Sequence, residues 1–88
     1  MTTFAISTSD KNDKLNSKLI SLYGTQNFLL VDDFLRIVIS DKDVTSEDVF
    51  KKLNHQGDVD GKLVIFAVNS YFGFHNKTTW EWLKARGV

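Results

Sequence analysis

Lys62-Leu63-Val64-Ile65-Phe66-Ala67-Val68 is the stretch that decides the fold. After Lys62 it is apolar at both parities: Leu63, Ile65 and Ala67 on one, Val64, Phe66 and Val68 on the other. Its length and its β-branched and aromatic content fit a strand. A strand covered on one side alternates apolar with polar residues, because successive side chains point to opposite faces. This one therefore calls for cover on both faces. In a chain of 88 residues, the second cover has to come from a terminal segment or from another subunit.

Working outward, Phe4-Ala5-Ile6-Ser7-Thr8 reads as a first strand, followed by the polar turn Ser9–Asp13. Leu15, Leu19, Ile20, Leu22 and Tyr23 place an apolar stripe along one side of a helix, which Gly24 is expected to end. Phe28–Val31 and Phe34–Ile39 are strand-like runs, with Asp32-Asp33 as a two-residue hairpin turn. Thr45 is a candidate N-cap, with Asp48 three residues on as a shorter version of the capping-box Glu. Val44 and Val49 occupy hydrophobic-staple positions, and Val49, Phe50 and Leu53 form the expected buried stripe. Residues 55–61 are loop. Thr78 and Glu81 repeat the capping spacing and predict a short C-terminal helix carrying Trp80, Trp82 and Leu83.

The order βαββαβ plus a short helix gives an α+β fold, a ferredoxin-like sandwich of a four-stranded antiparallel sheet with two helices on one face. A single domain spanning residues 1–88 is expected from the length. One parity, assembled from Phe34, Val38, Val64, Phe66 and Val68, is too apolar for water. Two closures are open. A homodimer packs through the exposed sheet face, with Trp80 and Trp82 contributing, or Trp80, Trp82 and Tyr71-Phe72-Gly73-Phe74 fold back within one subunit. The homodimer is the expectation carried forward.

Composition narrows the function classes. There are no cysteines, so disulfides and thiolate zinc sites are excluded. Eleven basic and eleven acidic residues cancel, which argues against strong non-specific binding to nucleic acid. The opening Met1-Thr2-Thr3-Phe4 lacks the pattern of a secretory signal, and no run approaches the length of a membrane span. These readings lead to the expectation of a cytoplasmic protein without a membrane partner.

The candidate chemistry is sparse. Asp10 follows the first strand, with Asp13 three residues on, and a Mg²⁺ or Mn²⁺ ion is often held by one or two carboxylates. The competing reading makes Asp10 a turn residue and Asp13 a favourable charge at a helix N-terminus. Asp58-Val59-Asp60-Gly61 matches only part of a calcium loop, since Gln56 and Ala67 stand where the end ligands belong. Asp32, Asp33, Asp41 and Asp43 read as solvated charges. His55 and His75 lack partners at ligand spacing. Lys51, Lys52, Lys77, Lys84 and Arg86 form a candidate basic edge for nucleic acid, with Tyr71, Phe72 and Phe74 as stacking surfaces.

The opening Phe4-Ala5-Ile6-Ser7, the hairpin at 28–39, the 45–53 helix and the closing Gly61–Val68 followed by Trp80-Glu81-Trp82-Leu83-Lys84 resemble SinR-like small proteins. These are relatives of the small CRISPR-associated adaptation subunit and of VapD-type ribonuclease toxins. The resemblance implies a ferredoxin-like homodimer, some of whose relatives are metal-dependent nucleases and others binding proteins. It places the group's acidic position on Ser9, with Asp10 one residue late, and a one-residue shift turns a strand side chain to the opposite face. The functional expectation is a non-catalytic homodimeric module, without a cofactor, that binds a protein or nucleic acid. The alternative is an endoribonuclease using Mg²⁺ or Mn²⁺ on Asp10 of each subunit. A small-ligand sensor is a third reading, by fold analogy alone.

Overall fold

The computed structural model describes residues 1–55, 57, 59, 61–69 and 77–86. The elements run β1 (Thr2–Thr8), α1 (Asp13–Tyr23), a 3-10 turn (Thr25–Asn27), β2 (Phe28–Asp32), β3 (Leu35–Ser40), α2 (Ser46–Leu53), β4 (Leu63–Val68) and α3 (Lys77–Ala85). The sheet order is β2-β3-β1-β4, with every neighbouring pair antiparallel. The chain thus has the expected ferredoxin-like α+β fold with an added C-terminal helix.

Local chemistry accounts for the helices. Asn12 caps α1, its side-chain oxygen accepting from the Leu15 amide at 3.0 Å. Gly24 ends α1 at φ +86°, a conformation that side chains with a Cβ rarely adopt, and its amide bonds the Ile20 carbonyl. At α2 the capping box is complete: Thr45 accepts from the Asp48 amide, and Asp48 accepts from the Thr45 amide. The staple is not closed, because Val44 stays 72% exposed while Val49 is fully buried. Phe50 likewise leaves the expected buried stripe and is 39% exposed. α3 begins at Lys77, so Thr78 lies inside its first turn rather than at its cap.

Helices α1 and α2 cover one sheet face. Leu15 and Leu19 from α1, Val49 and Leu53 from α2, and Phe4, Ile6 and Val38 from the central strands form one buried cluster. Lys18 Nζ donates to the Leu53 carbonyl, tying α1 to the C-terminal end of α2, where a cation also complements the helix dipole. Register assigns the faces. Phe4 pairs with Val38 and with Ala67, and Ile6 pairs with Arg36 and with Ile65. Those residues share the helix-covered face, and Ala5, Ile37, Ile39, Val64, Phe66 and Val68 share the other.

Two expectations shift by register. The β2–β3 turn is Asp33-Phe34, not Asp32-Asp33, and the ladder is irregular between Leu30 and Asp32. Phe34 is accordingly a turn residue. Val38 has 0% exposure on the helix-covered face, so it does not belong with Val64, Phe66 and Val68.

The second face is closed in part. α3 packs on β2, burying Thr79 and Leu83, and the Arg86 guanidinium reaches the Gln26 carbonyl at 2.7 Å. Ile39 and Thr3 on this face are buried, whereas Val64 and Phe66 are 54% and 56% exposed. Among the described residues, no helix is long and apolar enough to cross a membrane.

Candidate functional site

Strand β4 is an edge, paired only with β1 among the described residues. The Ser9 amide donates to the Lys62 carbonyl in the same register that pairs Thr8 with Leu63. Backbone groups alternate sides along an antiparallel strand. Val64, Phe66 and Val68 therefore turn their amides and carbonyls to β1, and Leu63, Ile65 and Ala67 turn theirs to the open edge. On the helix side of this edge, Ser46, Glu47, Phe50, Leu63, Val64 and Ile65 line a groove of about 360 Å³. Phe50, Val64 and Phe66 thus place exposed apolar side chains around one edge strand. Of the residues expected in a shared interface, Val64 and Phe66 belong to this surface, and half-buried Val68 lies on the same sheet face. Phe34 is separated from β4 by β1, and Trp80 and Trp82 sit half-buried on α3. Trp82 stacks under the Arg86 guanidinium at 4.0 Å.

The end of the sheet near Asp10 has a different character. Asp10 is exposed beyond the end of β1, and its carbonyl accepts from the Thr8 hydroxyl at 2.8 Å. Asp13 lies exposed in the first turn of α1. Asp32 accepts from the Phe34 amide at 2.8 Å, which fixes the β2–β3 turn. Between these carboxylates Arg36 is fully buried. Its guanidinium donates to Asn16 Oδ1, to Thr8 Oγ1 at 2.6 Å and to the Asp33 carbonyl at 2.9 Å. Burial pulls the Arg36 pKa down, and the negative charges of Asp32, Asp33 and Asp13 act against that shift. Among the described residues, no group of three or more His, Cys, Asp and Glu side chains is placed to hold a metal ion.

Three of the candidate nucleic-acid lysines face carboxylates. Lys51 lies 3.3 Å from Glu47, Lys52 lies 2.9 Å from Asp43, and Lys77 lies 3.8 Å from Glu81. Lys51 and Lys52 are on α2 and Lys77 is on α3. His55 is exposed. Tyr71, Phe72, Phe74, His75, Asp58 and Asp60 fall outside the described residues.

Asp43, read from sequence as a solvated charge, is only 5% exposed. It accepts from the Tyr23 hydroxyl at 3.0 Å, the Ser40 hydroxyl at 2.8 Å and Lys52 Nζ. Burial pushes its carboxyl upward, but the hydrogen bonds from Lys52, Ser40 and Tyr23 outweigh that and hold it below the usual range. Tyr23 moves the other way. Burial raises its pKa, and donation to Asp43 beside that negative charge raises it further. The local half of this network had a sequence signal: Ser40 ends a strand, and its hydroxyl accepts from the Asp43 amide in a tight turn. Tyr23 and Lys52 join through tertiary packing. Tyr23, Ser40 and Lys52 all engage the carboxylate, so the group joins α1, β3 and α2 rather than presenting a reactive atom.

No protein-family model matches the chain, and no curated protein matches it significantly.

Proposed function

We propose that the chain is a non-catalytic homodimeric module of the cytoplasm that binds a macromolecular partner, a protein in preference to nucleic acid. The observation that carries this reading is the apolar surface around β4, where Val64 and Phe66 remain more than half exposed. Apolar patches of this kind, set in a polar surface, mark sites of protein association. Electrostatics weigh against nucleic acid. Lys51, Lys52 and Lys77 each face a carboxylate, and Asp10, Asp13, Asp32 and Asp33 concentrate negative charge near one end of the sheet. A phosphate backbone needs the reverse arrangement. The resemblance to SinR-like small proteins supports a dimeric ferredoxin-like unit.

Labelled single-stranded RNA, incubated with and without Mn²⁺ and alongside Asp10→Ala, tests the reading. The expected result is an intact RNA in every lane and only weak, salt-sensitive binding by anisotropy. Cleavage that requires Mn²⁺ and disappears in Asp10→Ala would establish the endoribonuclease instead. Tight binding that persists at physiological salt would make nucleic acid the partner.

A further inference from the structure

We infer that β4 is the seat of a second copy of this chain, the two β4 strands pairing antiparallel about a twofold axis at Ile65. This rests on the homodimeric reading above and specifies its surface.

The first argument is the difference between the two sheet edges. Edge strands invite pairing unless they are bulged, charged or covered. β2 is protected in these ways. Its ladder is irregular between Leu30 and Asp32, it ends in an acidic turn, and α3 packs on it. β4 has a regular register from Leu63 to Val68, and those six residues include no charge and no proline. Its outward backbone groups belong to Leu63, Ile65 and Ala67, and no strand pairs with them among the described residues.

The second argument is that β4 complements itself. With Ile65 on the axis, Ile65 faces the partner subunit's Ile65, and Leu63 faces the partner subunit's Ala67. All three outward residues on each copy then meet outward residues, so each exchanges both backbone hydrogen bonds. The two exposed large apolar residues of the strand, Val64 and Phe66, flank Ile65 symmetrically. The same axis sets Val64 opposite the partner subunit's Phe66 in a close, non-hydrogen-bonded pair. An aromatic beside a β-branched residue is a favourable cross-strand pair. A shift of one residue would face inward-bonded groups against outward ones and lose the ladder.

The third argument is charge and size. The strand carries no charge, so its occupant gains nothing from charged side chains and a second β4 fits. Phe50, Val64 and Phe66 from two copies bring on the order of 500 Å² of exposed apolar surface to the contact. Stable interfaces bury about 1,200–2,000 Å² in total. This dimer is therefore weak, with its population set by concentration in the micromolar range.

Ala67→Pro isolates the ladder. The Ala67 amide points away from β1, so proline removes a donor only from the open edge. Sedimentation across a concentration series should show wild type passing from monomer to dimer. Ala67→Pro should weaken the dimer about tenfold through two lost symmetric hydrogen bonds, and Val44→Lys should leave it unchanged. Register is tested separately. The natural chain has no cysteine, so Val64→Cys mixed with Phe66→Cys should form a disulfide-linked heterodimer under mild oxidation. That pair decides the matter even where Ala67→Pro fails to fold. A wild-type dimer with no mixed cross-link would overturn the β4 pairing and leave the homodimeric reading standing. A wild-type monomer at every concentration would overturn both.

Discussion

The Tyr23 hydroxyl donates to Asp43 Oδ2 at 3.0 Å, across twenty residues of sequence and from a different element. Lys52 approaches the same carboxylate at 2.9 Å, with its ammonium 5.7 Å from the Tyr23 ring centroid. One carboxylate thus joins the end of α1, the end of β3 and α2. Asp43→Ala strands two hydroxyls and an ammonium near the protein interior. Lys52 is part-exposed and can turn to water, so the loss is smaller than for a fully buried pair. The expected destabilisation is about 2–3 kcal/mol in urea unfolding. Asp41→Ala, on an exposed neighbour, should change stability by less than about 0.5 kcal/mol. Equal effects would remove the structural role assigned to Asp43.

The same carboxylate predicts an acid limb to stability. Its folded pKa lies below the unfolded value of about 3.9, so the unfolded chain takes up the proton first as pH falls. The stabilising contribution is present in full above the unfolded value and is lost as pH drops through the folded one. Asp48 acts with the same sign, because the backbone amides of Thr45 and Val44 hold its carboxylate low. Urea midpoints measured across the acid range should fall less steeply for Asp43→Asn than for wild type, with Asp48 supplying part of the remaining slope. Parallel curves would show that Asp43 is not depressed in the folded state.

The α2 cap makes a third prediction. The Thr45 hydroxyl accepts from the Asp48 amide, one of the donors that the start of a helix leaves without a partner inside it. Thr45→Ala should cost about 1 kcal/mol, and Thr45→Ser should restore most of it. Thermal or urea unfolding of the three proteins checks the order.

That cap was legible in the sequence because it is local: Thr45 and Asp48 are three residues apart and meet whenever the helix forms. The apolar spacing of α1 and the parity of β4 were legible for the same reason. Register was not. An Asp-rich turn can close at Asp32-Asp33 or at Asp33-Phe34 with little local difference, and the irregular ladder after Leu30 absorbs the extra residue. The face Val38 takes relative to Val64 is set separately, by how β3 and β4 each pair with β1, and no local signal in either strand specifies that pairing. The burial of Asp43 and Arg36 was hidden for another reason. Each depends on partners from separate elements, and a charged residue at a strand end reads as solvent-facing until those partners are in place. The uncovered part of the second face could be anticipated from the two-sided strand, but its position at β4 depended on α3 packing over β2.

Arg36 makes a prediction that its charge alone would not suggest. Its hydrogen-bond acceptors are an amide oxygen, a hydroxyl and a backbone carbonyl, and the carboxylates of Asp32, Asp33 and Asp13 act at longer range. The planar guanidinium reaches three directions at once, whereas a lysine ammonium is a compact, strongly hydrated point charge. Arg36→Lys keeps the cost of burying charge and loses the fork. Arg36→Met removes the charge while filling much of the space. Replacing buried charge by apolar volume is often tolerated. Arg36→Lys should therefore be less stable than Arg36→Met by about 1 kcal/mol or more in urea unfolding at neutral pH. The opposite order would mean that long-range attraction to the acidic turn, rather than hydrogen-bond geometry, holds this residue.

Val38 and Val64 separate the core from the surface assigned to binding. Both are strand valines, but Val38 is fully buried against α1 and α2 while Val64 is 54% exposed on the opposite face. Val38→Ala removes two methyl groups from a packed interior and leaves part of their volume empty, which should cost about 2–3 kcal/mol. Val64→Ala gives up surface already half in water and should cost less than about 0.5 kcal/mol in dilute protein, where the monomer dominates. Raising the concentration should change the second result but not the first. If β4 seats a second copy, dimerisation stabilises wild type by mass action, and the gap between wild type and Val64→Ala should widen as the dimer fills. Urea unfolding at low and high protein concentration reads both effects together. A gap that stays constant across concentration would place Val64 outside any self-association surface.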